Sequence, residues 1–432
     1  MSEDIIETLL SGRLADPDGG PPLCVPTRAV AIADSLAGRE AELVAGLDLG
    51  PRLALVSDVN THEALGERVA RALAGKVDLT LIRMTGRPHA DEATVAAIRR
   101  ESSACDALVA VGSGTINDLC KYAAARDGKE YAVFATAPSM NGYTSVNASI
   151  TLGGHKKSLP AVAAAGVFLD LDVLSKAPVR MIRSGLGDSL CRPTAQADWL
   201  LAHLALERPY RTAPFALLAD DEAELFARSD ALVSGDLEAM RRLARTLVLS
   251  GFGMTICGGS QPASQGEHLI GHTVEMLAPA DWPRAFHGEQ VGVATLTMAR
   301  LQERILDGGP PRLRASAVSR ASVEAYFGAE PGAACWSEFA AKRLDAEAAE
   351  ALSARLAERW DEFRARLSAV MVPATELDSV LKRAGAPTAP EDLHWPRPFY
   401  RDAVRHAREM RNRYTFLDLA ADSGRLDDAD IL

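Results

Sequence analysis

Short apolar runs alternate with segments of helical spacing from residue 52 to residue 136, and this alternation constrains the fold more than any other feature of the chain. Arg52–Ser57 (RLALVS) reads as a buried strand that ends at Asp58. Thr61–Leu73 has helical spacing, with Thr61 placed to cap it. Leu79–Met84 is a second strand and Asp91–Arg100 a second helix. Ala107–Val111 (ALVAV) is a third strand, Ile116–Arg126 a helix, and Tyr131–Thr136 a further strand. Strands and helices alternating at this pitch predict a parallel sheet with helices on both faces.

From Val179 onward the texture changes. Segments rich in Ala, Leu, Arg and Glu take over, most clearly Glu222–Ser229, Leu237–Leu249, Ala346–Ser368 and Asp402–Arg413. Their apolar residues repeat every 3.6 positions and their polar faces carry charge pairs four residues apart, so they predict helices. The Gly/Pro stretch Asp307–Arg312 reads as a loop within this region. The expected fold class is an α/β domain over residues 1–180 followed by an all-α domain over residues 181–432.

Composition removes several function classes. The 432 residues include 47 Lys+Arg and 58 Asp+Glu, a formal net charge of −11. That balance argues against a sequence-independent nucleic-acid binder, which needs a dominant basic surface. It leaves room for a local basic pocket around a small anion. The six cysteines are scattered without a C-x-x-C pair, and read as reduced, buried thiols. The N-terminus, MSEDIIETLLSGRL, lacks the basic and apolar regions of a signal peptide. No run approaches the ~18–20 apolar residues of a membrane span. The expectation is a cytoplasmic protein with no membrane span and no nucleic-acid partner.

Three segments carry chemistry. In Val109–Lys121 (VAVGSGTINDLCK) a strand ends, two glycines bracket a serine, and a helix begins. Glycines let backbone approach a phosphate, and a helix start offers N–H groups and a positive dipole end. Gly112, Ser113, Gly114 and Thr115 are therefore candidate pyrophosphate contacts, with Asp118 beside them. Asn117 stands where G-x-G-x-x-G would place its third glycine, so a plain βα turn is an equal reading. Asp58 is a candidate for an adenosine ribose hydroxyl, which favours NAD over NADP, or a simple helix cap.

Ala135–Ile150 (ATAPSMNGYTSVNASI) follows a strand end and is rich in small polar groups. Thr136, Ser139, Asn141 and Ser145 suit cofactor or polyol hydroxyls. Lys156 and Lys157 follow closely, and are either phosphate ligands or a solvated hairpin tip. The third segment, Gln265–His272, puts His268 and His272 on one helix face, and His287 follows in FHGEQVG. Asp188 follows a glycine-rich turn, Ser184–Gly187. One carboxylate and two imidazoles leave an open position on a divalent ion, whereas a lone His pair is an ordinary helix surface.

These motifs occur together, in this order, in one family. The chain resembles the sn-glycerol-1-phosphate dehydrogenases, a branch of the iron-containing alcohol dehydrogenase and dehydroquinate synthase superfamily. The resemblance rests on GSGTINDLCKY, TAPSMNGYTS, HKKSLPA, GLGDSLC…ADW, GEHLIGH, FHGEQVG and MRNRYTFLDL. It implies a dinucleotide-binding N-terminal domain, a helical C-terminal domain and an active site in the cleft between them. It also implies Asp188, His268 and His287 as ligands of one divalent ion (Zn, Ni or Fe), with His272 relaying a proton. The implied reaction is reversible reduction of dihydroxyacetone phosphate to sn-glycerol 1-phosphate by NADH or NADPH, in a homo-oligomer. Asp188 and Asn141 would face the substrate, and Lys156, Lys157 and Lys121 would hold its phosphate. Two departures bear on substrate identity: Asn141 stands where relatives commonly carry Asp, and Arg192-Pro193 where they carry Lys-Tyr or similar. The competing readings are a dehydroquinate-synthase-like lyase or cyclase, and a glycerol or alcohol dehydrogenase with an unphosphorylated substrate.

Overall fold

The computed structural model describes residues 4–152, 155–427 and 431. The chain divides into two compact units, one of residues 1–189 and 212–259, the other of residues 190–211 and 260–432. The contiguous division at residue 180 differs from this, because residues 212–259 pack with the sheet.

Six strands form the sheet of the first unit: β1 Ala29–Ala33, β2 Arg52–Asp58, β3 Asp78–Met84, β4 Ala107–Gly112, β5 Glu130–Ala135 and β8 Gly166–Asp170. They are all parallel, in the order β1-β8-β5-β4-β2-β3. The central strands β4, β5 and β8 are buried almost throughout, as parallel strands covered on both faces must be. Leu53, Leu55, Val109, Val111 and Phe134 share one core with Phe168. The Phe134 and Phe168 rings meet at 4.8 Å, and each buried ring contributes about 2 kcal/mol of transfer free energy. β6 Asn147–Leu152 and β7 His155–Pro160 form a separate antiparallel hairpin.

The helix Leu237–Cys257 belongs to this unit. It runs well past the predicted end at Leu249, because Ser250–Met254 is buried all round rather than amphipathic. It is tied to the turn Gly142–Thr144: the Thr144 hydroxyl donates to Val248 O (2.7 Å), and the Thr255 hydroxyl donates to Thr144 O (2.8 Å).

The second unit is helical. Its main elements are Arg192–Leu206, Gly266–Leu277, His287–Asp307, Ala346–Ser368, Arg397–Ala407 and Phe416–Asp422. Leu201, Leu269, Met298, Leu356, Phe363, Tyr400 and Phe416 meet in one core. That core also encloses ion pairs, Lys342–Asp418 at 2.8 Å and Arg408–Asp422 at 2.7 Å. Among the described residues, no helix is long and apolar enough to cross a membrane. All six cysteines are free thiols; four are buried, Cys24 is exposed and Cys257 half-buried, so two depart from the buried expectation.

Candidate functional site

In the sheet unit, β2 and β4 are neighbours, yet the chain leaves β2 outward to β3 and leaves β4 in the opposite direction to β5. The strand order reverses between them, and open α/β sheets bind ligands beyond the strand carboxyl ends at such a point. Asp58 ends β2 and Gly112 ends β4. A Cβ at Gly112 would lie 2.5 Å from that of Ile116, so only glycine permits this tight entry into the helix Gly114–Asp127. Ser113 precedes that helix with an extended backbone and no side-chain capping bond. The first N–H groups are thus presented without a side-chain cap, which suits a pyrophosphate. Gly112 pairs with Ala135 across the sheet, so Thr136 and Ser139 emerge beside the glycine loop, both buried.

Several predicted residues prove to be engaged in holding the fold. Asp58, not Thr61, caps the helical segment: its carboxylate accepts from Thr61 N at 2.8 Å, and Thr61 Oγ1 accepts from Asp58 N at 2.9 Å. Asp118 accepts from Ser149 N (3.0 Å) and so ties the hairpin to the helix. Lys121 is fully buried, not a surface for phosphate. Its ammonium donates to Gly142 O (2.5 Å), Ser145 Oγ (3.1 Å) and Asn147 O (3.0 Å). Burial holds this ammonium down to about 8, against the upward pull of Asp118. Ser145 faces Lys121 and is likewise buried. Lys157 is exposed on β7, opposite Ile150, whereas the side chain of Lys156 lies outside the described residues.

Asp188 sits in the helix Val179–Leu190. The expected glycine-rich turn before it is helical. Gly185 serves packing there, since a Cβ would collide with the carbonyl oxygen of Pro138. Asp188 is buried, and its Oδ2 accepts from Asn141 N at 2.8 Å. The Asn141 side chain turns away to donate to Ser250 Oγ at 3.2 Å. Of Asn141, then, it is the backbone N–H that reaches the carboxylate.

In the helical unit, His268 and His272 lie one turn apart on the helix Gly266–Leu277, and His287 opens the helix His287–Asp307. The three rings converge, with centroids 5.9 Å (268–272), 5.1 Å (268–287) and 5.8 Å (272–287) apart. His268 is buried, and its Nδ1 lies 2.9 Å from Glu267 Oε1. A carboxylate on one ring nitrogen fixes the tautomer and directs the other nitrogen to a metal. The Glu267 carboxylate is fixed in turn, accepting from Gln265 N (2.7 Å) and the Thr194 hydroxyl (3.4 Å). At the start of the His287 helix the Glu289 carboxylate accepts from Phe286 N at 2.7 Å. The imidazole donors and the carboxylate behind His268 fit a borderline divalent ion such as Zn, Ni or Fe.

Sequence reasoning missed the residues that hold this helix. Asp198 is wholly buried and accepts from Gly266 N (3.0 Å) and Phe416 N (2.8 Å), joining two helix starts. Burial and the charge of Glu267 push its carboxyl well above the usual range. Arg413 donates to Ser264 O and to Ser260 Oγ (2.7 Å), in the loop that leads into the histidine helix. Their signal was present: Asp198 lies in the ADW motif and Arg413 in MRNRYTFLDL.

The family model "iron-containing alcohol dehydrogenase" matches residues 31–178. A glycerol-1-phosphate dehydrogenase (NAD(P)+) of Bacillus velezensis is 31% identical over 308 residues, 67% of this chain and 78% of that protein. One of Halalkalibacterium halodurans is 32% identical over 257 residues, 57% of this chain and 64% of that protein, just under two thirds of its length. Among solved structures, maleylacetate reductase from Rhizobium sp. strain MTP-10005 shares the fold, with a TM-score of 0.60 and 18% identity over 94% of this chain and 96% of that one.

Proposed function

The chain belongs to the glycerol-1-phosphate dehydrogenase family, and on that premise we propose that it interconverts dihydroxyacetone phosphate and sn-glycerol 1-phosphate, using NAD(P)H and one divalent metal ion. The observation that carries this reading is the convergence of His268, His272 and His287, with Glu267 behind His268. His268 and His287 hold the ion, and Asp188 supplies the third ligand. Two imidazoles and a carboxylate leave a position open for the substrate oxygen.

When bound, the metal polarises the C2 carbonyl and the reduced nicotinamide supplies the hydride. The work of the chain is positioning and proton transfer. Glu267 keeps the His268 ring in the orientation its role requires. His272, with 27% of its side chain exposed, gives the proton to the C2 oxygen in reduction and takes it back in oxidation. Gly112, Ser113, Gly114 and Thr115 receive the cofactor pyrophosphate at the helix start, and Thr136 and Ser139 line the same strand ends. Asp58 at the end of β2 takes the adenosine ribose and favours NAD over NADP, since a 2′-phosphate would face its carboxylate. Lys157 is the exposed cation offered to the substrate phosphate.

A substrate panel read at the nicotinamide absorbance tests this. The expected result is turnover of dihydroxyacetone phosphate well above dihydroxyacetone or any other unphosphorylated ketone. Equal rates with the unphosphorylated ketone would remove the phosphate from the reading, and Lys157 with it.

A further inference from the structure

A buried ammonium is costly, and proteins keep one only where its donors are all used. Lys121 lies wholly inside the sheet unit, and its three hydrogen bonds end on one short segment: Gly142 O, Ser145 Oγ and Asn147 O. That segment also carries Asn141, whose backbone N–H donates to Asp188 Oδ2 at 2.8 Å. Gly142, the residue held most closely by Lys121, immediately follows Asn141. On its other side the segment is held by the helix Leu237–Cys257, through Thr144, Thr255 and Ser250. Lys121 therefore holds from the sheet side the segment whose Asn141 N–H, one residue before Gly142, orients one oxygen of a buried carboxylate.

We propose that Lys121 is a positioning residue for the metal ligand Asp188, acting through the segment Asn141–Asn147. The inference rests on the proposed role of Asp188 as a ligand. Lys121 touches neither substrate nor ion. It sets the Asn141 N–H that aims the carboxylate, in the way that partners of metal ligands tune affinity. The Ser145 hydroxyl, which accepts from the ammonium, belongs to the same device.

The test uses the full-length protein stripped of metal and titrated with Co2+, reading affinity by competition with a chromogenic chelator and coordination by the visible Co2+ spectrum. Wild type, Lys121→Met, Ser145→Ala and Asp188→Asn are compared. The expected result is Co2+ affinity about 10–100-fold weaker in Lys121→Met. A smaller loss, above threefold, is expected in Ser145→Ala, with both spectra moved toward that of Asp188→Asn. A purely structural role would lower the folded fraction without changing the spectrum of the protein that loads, and that outcome overturns the inference. Affinities within twofold of wild type with unchanged spectra also overturn it, and leave the proposed function standing. Wild type that takes up no Co2+ overturns the proposed function and this inference with it. If Lys121→Met fails to fold, Ser145→Ala decides by the same criteria.

Discussion

The Glu267 carboxylate lies 2.9 Å from Nδ1 of His268, its own neighbour in the helix Gly266–Leu277. Adjacent helical residues do not normally face one another. Here the pair is at the helix start, where Glu267 folds back to accept from Gln265 N as well. One carboxylate thus caps a helix and fixes a histidine. Glu267→Gln keeps the size of the side chain and removes its charge. Metal affinity measured by chelator competition should fall by about 10–100-fold. An affinity equal to wild type would show that His268 is oriented without it.

Asp198 joins the starts of two helices, accepting from Gly266 N and Phe416 N. Asp198→Ala leaves both donors buried without this acceptor, at a cost on the order of 3 kcal/mol. Thermal unfolding should show the loss as a lower Tm. An unchanged Tm would mean that water replaces the carboxylate fully.

Burial lowers the Lys121 ammonium from its ordinary 10.5 to about 8. Between those values the unfolded chain holds a proton that the folded chain has released. Stability attributable to Lys121 is therefore flat below pH 8 and rises from about pH 8 to 10.5. Urea unfolding of wild type and Lys121→Met across pH 7–10.5 should give a difference that widens in favour of wild type in that window. Parallel curves would contradict the shift.

Gly185 lets its helix approach the Pro138 carbonyl, where a Cβ would collide. Gly185→Ala must push backbone away from backbone, so it should destabilise by about 1–3 kcal/mol or more. The urea midpoint reports this directly.

β2, β3, β4 and β5 were legible as short strands alternating with helical segments. β2 and β4 announce themselves as continuous apolar runs because both of their faces are buried. β1 (AVAIA, half-buried at the sheet edge) and β8 (GVFLD, buried inside the sheet) are apolar runs too, but neither belongs to the regular alternation between residues 52 and 136 by which the others were read. The helix Ala346–Ser368 was read to its ends because Asp345 caps it and one face repeats cleanly. The histidine pair was legible from its spacing, since four residues make one helical turn. The partners that orient it were not. Asp198 and Lys121 act through contacts between elements and Glu267 through a fold-back at its own helix start, and neither periodicity nor propensity encodes those. The glycines before Asp188 suggested a turn, whereas Gly185 is helical and its missing side chain makes room for Pro138.

The proposed reduction depends on a metal held at the histidine cluster. The most direct measurement is NAD(P)H oxidation with dihydroxyacetone phosphate before chelation, after chelation, and after a divalent ion is restored, in wild type and His268→Ala. Wild type should show turnover that chelation abolishes and metal restores, with none recovered in His268→Ala. Turnover that survives both chelation and the loss of His268 would contradict that dependence.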